Sequence, residues 1–83
     1  MPQTADTLAW VYFYKGNYSS ARDLLETALK QTPDDAAIHF HLGMTYSKLN
    51  DKADAEQHLK NAAALAPNSK DGKDASAELA KLG

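Results

Sequence analysis

Apolar side chains recur along the chain three or four residues apart, in five blocks separated by polar or glycine- and proline-bearing joints. Leu8 is followed by Tyr12, Ala21 by Leu25 and Ala28, Leu42 by Tyr46, Ala55 by Leu59 and Ala62, and Ala75 by Leu79 and Leu82. The pattern predicts helices over 4–15, 18–31, 35–49, 52–65 and 71–82, and an all-α fold. The joints have local causes. Gly16-Asn17 and Asn50-Asp51 supply the left-handed or turn conformations that reverse a chain, and Pro33 and Pro67 end the helices before them by pushing the preceding residue out of helical geometry. Connections this short make neighbouring helices antiparallel.

The blocks also repeat. At an offset of 34, Leu8 meets Leu42, Tyr12 meets Tyr46, Ala21 meets Ala55, Leu25 meets Leu59, Ala28 meets Ala62 and Pro33 meets Pro67. Chance gives about two matches in such an overlay. A fixed period of this length marks units that bury their apolar faces only against their neighbours. The second unit reads His39-x-x-Leu42-Gly43-x-x-Tyr46, Ala55-x-x-x-Leu59, Pro67, and the first Ala5-x-x-Leu8-Ala9-x-x-Tyr12, Ala21-x-x-x-Leu25-x-x-Ala28, Pro33. Both resemble the tetratricopeptide repeat, with His39 and Ala5 in place of its tryptophan, Ala9 in place of its glycine and leucines in place of its phenylalanine. Physically, Ala9 and Gly43 let paired helices approach closely, and Leu8, Tyr12, Leu42 and Tyr46 fill the space between them. The resemblance implies an α-solenoid of two helical hairpins, 2–35 and 36–69.

The last segment leaves the register, because Ser76 stands where the repeat wants leucine and Ala80 where it wants tyrosine. Its stripe of Ala75, Leu79 and Leu82 has a polar remainder, the composition of a capping helix over 70–83 that covers the final repeat. The array is expected to end near Gly83. This arrangement resembles the C-terminal end of long bacterial tetratricopeptide repeat proteins. Two repeats are fewer than the three or so that a solenoid needs, so the expectation is a fragment of a longer array, favoured by the abrupt start Met1-Pro2-Gln3, or a chain that associates with itself. The uncapped first hairpin is the surface for either.

Charge narrows the partner. Nine basic residues are scattered among eleven acidic ones, for a net charge of -2 and a pI near 5.8, which gives no case for nucleic acid or an anionic membrane surface. Helical pairs such as Glu26 with Lys30 and Glu56 with Lys60 read as solvated faces. Without cysteine there is no disulfide and no thiolate metal site. The apolar run from Leu8 to Tyr14 is too short for membrane insertion and lacks the basic flank of a secretion signal. Localisation is therefore cytoplasmic by default for a natural N-terminus and unknown for an excised piece.

The resemblance also implies where a partner would bind, since in this family the first helix of each hairpin lines a concave groove. On this chain that face carries Gln3, Asp6, Trp10, Phe13 and Tyr14, then Ala37, Phe40, His41, Met44, Ser47 and Lys48. Asp6, Trp10 and Phe13, like Phe40, Met44 and Ser47, follow an i, i+4, i+7 stripe. An aromatic cleft of this kind takes an extended or helical protein segment, with Trp10, Phe13, Phe40 and Met44 as anchors. Alternatively, Trp10 and Phe13 belong to the core and pack on a helix of a missing repeat or of a second copy of the chain. The family's best-known groove chemistry, lysines and asparagines gripping a C-terminal carboxylate, finds Asp6, Trp10, Phe40 and Met44 at its positions, which argues against a chaperone tail; Lys48 alone could meet an acidic group at the edge.

Other chemistries find little. His39, His41 and His58 invite a metal, but residues two apart on a helix point about 200° apart, so His39 and His41 cannot readily share an ion. His39 is expected to pack at the tryptophan position and His58 to lie on the surface. No phosphate loop and no nucleophile with a base is present, and Asp34, Asp35, Asp51 and Asp54 stand at helix starts, where they cap amides. The sequence thus reads as a non-enzymatic protein-binding scaffold without cofactor or metal, or as a self-association unit that forms a homo-oligomer through the same apolar face.

Overall fold

A computed structural model describes residues 4–82, which form five helices: α1 (Ala5–Tyr14), α2 (Tyr18–Gln31), α3 (Ala36–Lys48), α4 (Lys52–Leu65) and α5 (Lys70–Leu82). No strand occurs among the described residues. The protein is an all-α helical-repeat solenoid. α2 and α4 match the expected spans, α1 and α3 are one residue shorter than expected at each end, and α5 begins one residue earlier. Gln3, expected on the groove face, and the outer bounds of the expected units, residue 2 and Gly83, lie outside the described residues.

The one-residue differences at the starts of α1 and α3 are caps. Thr4 Oγ1 accepts from the Thr7 amide at 3.1 Å, and Asp35 Oδ1 accepts from the amides of Ala37 and Ile38 at 3.0 and 3.3 Å. Asp51 Oδ1 caps α4 by accepting from the Asp54 amide at 3.2 Å. Gly16 and Asn50 reverse the chain inside the two hairpins with φ of 82° and 63°, the left-handed conformation that these residue types tolerate best.

Small residues set the helix spacing. A Cβ on Gly43 would stand 2.5 Å from Leu59 Cγ, so α3 lies on α4 at a distance that only glycine permits without a shift, and fully buried Ala9 holds the matching position in α1. One apolar cluster, Ala9, Phe13, Ala21, Leu25, Ile38 and Leu42, joins α1, α2 and α3. A second, Leu59, Ala62 and Ala75, joins α4 to α5, with Phe40 of α3, Leu79 and Leu82 packed against it. α3 is therefore the shared wall of the solenoid.

Two expectations about packing fail. Leu8, expected to fill the space between helices as Leu42 does, is 36% exposed, whereas Leu42 is fully buried. Leu42 is buried because α3 packs on α2; among the described residues no helix lies against the matching face of α1. Glu26 does not pair with Lys30. Its carboxylate accepts from the Tyr46 hydroxyl at 3.0 Å and faces His58 Nε2 at 3.7 Å, partners that α3 and α4 already hold in place, whereas an exposed lysine would have to lose side-chain freedom to pair.

Candidate functional site

Trp10 stands at the junction of α1 and α3. Its indole stacks on His41 of α3 with ring centroids 4.1 Å apart and on Phe13 with centroids 4.3 Å apart, and Tyr14 meets it edge-on at 5.5 Å. One turn earlier on α1, Asp6 Oδ1 contacts His41 Nδ1, so the imidazole is held by a carboxylate at its edge and an indole at its face. This contact spans 35 residues of sequence and ties the first helices of the two hairpins together.

Beside this junction lies an open cavity of about 290 Å³, lined by Asp6, Thr7, Trp10, Val11, Tyr14 and His41. Tyr14 is 75% exposed, a large aromatic surface left in water. Of the residues expected on the groove face, the cavity gathers Asp6, Trp10, Tyr14 and His41. Thr7 and Val11 are additions that the groove stripe did not include.

The remaining expected residues divide. Phe13 is buried in the first cluster, edge to face with Tyr18 at 5.3 Å, and so supports Trp10 as part of the core; its expected role as a groove anchor is corrected. Phe40 packs on the α4–α5 cluster and Met44 on the first cluster, each only partly buried. Ser47 and Lys48 lie toward the end of α3 and do not line the cavity, with Ser47 partly buried and Lys48 exposed. Ala37 is also partly buried.

The histidines occupy two different places. His41 belongs to the Trp10 junction. His58, expected on the surface, is instead half-buried against His39, with the two Nδ1 atoms 3.0 Å apart, while His39 Nε2 stands 2.7 Å from the Pro33 carbonyl oxygen. The 5.2 Å between the two ring centroids is close to the nitrogen separation plus the two ring radii, so the nitrogens point straight at one another. That is hydrogen-bond geometry; two ligands of one ion would converge at an angle. Among the described residues no group of three or more candidate ligands gathers. No described helix is long and apolar enough to cross a membrane.

A tetratricopeptide repeat family model matches residues 7–70, across both hairpins. No curated protein and no solved structure matches the chain.

Proposed function

Since the chain belongs to the tetratricopeptide repeat family, whose repeats mediate contacts between proteins, we propose that it is a non-enzymatic scaffold, two repeats and a cap, that holds a protein segment against α1 and α3. The observation that carries this reading is the cavity beside Trp10 with Tyr14 at its mouth. Its walls are mainly aromatic and aliphatic, and Asp6 is its one carboxylate, so the segment offers an apolar side chain to Trp10 and Tyr14 and a hydrogen-bond donor to Asp6. Phe40, Met44, Ser47 and Lys48 extend the contact along α3.

The test is a selection from a displayed peptide library, followed by titration of the selected peptide into the protein with Trp10 emission as the readout. Tyr14→Ala is the informative variant, because so exposed a side chain contributes little to the fold. Affinity that drops at least about tenfold in Tyr14→Ala supports the groove, as hot-spot aromatics do. Unchanged affinity places the peptide elsewhere.

A second reading, homo-oligomer formation, is favoured by one observation. Leu8 and Val11 are 36% and 40% exposed, yet their counterparts one repeat later, Leu42 and Thr45, are fully buried. A second copy covering this face of α1 would restore that burial. Mass by light scattering over about a hundredfold range of concentration distinguishes a dissociating dimer from a monomer.

A further inference from the structure

The hydrogen-bond chain through His39 and His58 fixes where every proton sits. The Pro33 carbonyl oxygen can only accept, so His39 Nε2 carries a proton and, in the neutral ring, His39 Nδ1 carries a lone pair. His58 Nδ1 must then donate across the 3.0 Å contact, which leaves the lone pair of His58 on Nε2, facing Glu26 Oε1 at 3.7 Å. Glu26 in turn accepts from the Tyr46 hydroxyl. The chain links α2, the joint between the hairpins, α3 and α4.

The two protons this pair can gain are not equivalent. The first goes to His58 Nε2, where it meets the Glu26 carboxylate and leaves the bond between the imidazoles intact. The second must go to His39 Nδ1, where it puts a donor against a donor and breaks that bond. We propose that the His39–His58 pair is an acid-sensitive joint, which keeps the bond between its imidazoles when it takes one proton and opens α3 from α4 when the second is forced in.

The surroundings agree. Burial holds His58 below the ordinary histidine value of 6.5, the carboxylates of Glu26 and Asp54 pull the other way, and His39 adds to the lowering. The charges around the pair come from α2 through Glu26, from the joint before α3 through Asp34, which lines one cavity with His39, and from α4 through Asp54; Arg22 of α2 acts on neighbouring Tyr46. α5, which also packs on α4, contributes none of them.

The sign follows from linkage. A histidine held low in the folded state stabilises the fold above about pH 6.5 and loses that contribution as pH falls through its folded value. The experiment compares thermal unfolding midpoints from pH 7.5 down to 5 in the wild type and in His39→Gln/His58→Gln, with His41 unchanged in both. The expected result is a fall at least about twofold larger in the wild type; equal falls overturn the proposal. Nitrogen-detected NMR of the wild-type imidazoles decides the matter independently should the double variant not fold. The proposal requires His39 protonated on Nε2 and His58 on Nδ1 at neutral pH, and any other tautomer pair refutes it.

Discussion

Leu8 and Leu42 hold the same position in consecutive repeats and meet opposite fates, one 36% exposed and the other sealed in the core between α2 and α3. Leu42→Ala should therefore destabilise by about 2–5 kcal/mol, the range for a buried leucine that leaves a cavity. Leu8→Ala should change the stability of the monomer by less than about 1 kcal/mol. Urea unfolding at low protein concentration measures both, and a large loss in Leu8→Ala that grows with concentration would identify a second copy on α1.

Gly72 sits inside α5, where glycine ordinarily weakens a helix. A Cβ there would stand 1.8 Å from the Ala66 carbonyl oxygen, a backbone atom that cannot swing aside. Gly72→Ala should lower stability by about 1–3 kcal/mol despite alanine's better helix propensity. Ser76→Ala, on the exposed side of the same helix, is the control and should be neutral or slightly stabilising. Equal behaviour of the two variants in urea unfolding would mean that α5 does not lie so close to the end of α4.

Alkaline pH should act through Tyr46. Its hydroxyl is pushed up to about 12 by burial, with the bond to Glu26 and the charges of Glu26 and Asp54 adding to the rise and Arg22 opposing it. The folded state therefore keeps this proton where the unfolded chain has lost it. The resulting stabilisation is complete below pH 10 and disappears as pH rises toward 12. In an absorbance titration of the four tyrosines, Tyr46 should ionise last and together with unfolding, and Tyr46→Phe should remove that final step.

Asp6 and His41 cross-brace the hairpins under Trp10. Asp6→Asn keeps the shape and removes the charge, and should cost about 1 kcal/mol, the typical net value of one hydrogen bond. Loosening of the His41 stack should also shift the emission of the single tryptophan toward that of a more hydrated indole. An unchanged spectrum would show that the indole is held by Phe13 alone.

What the sequence made legible follows from the range of each cause. Helix spans, caps and reversals depend on residues within one turn, so Pro33, Asp35, Gly16 and Asn50 announce them locally. Trp10 and Phe13 are neighbours on one helical face, and only the rotation of α1 against α2 and α3 decides that Phe13 goes into the core while Trp10 stays at its edge. The meeting of His39 with His58 depends on the register between two antiparallel helices, and the need for Gly72 on how closely α5 approaches Ala66. Neither leaves a mark in the spacing of apolar residues.

Glu26 also bears on how such a chain can change over evolutionary time. A repeat array invites duplication and shuffling of its units, yet the first unit supplies a carboxylate to a tyrosine and a histidine of the second. At the position of the second unit that corresponds to Glu26 stands Lys60. A copy of the second unit placed after itself would offer its Tyr46 and His58 an ammonium group in place of the carboxylate, so the two units are not interchangeable and their order is written into the chemistry of their boundary.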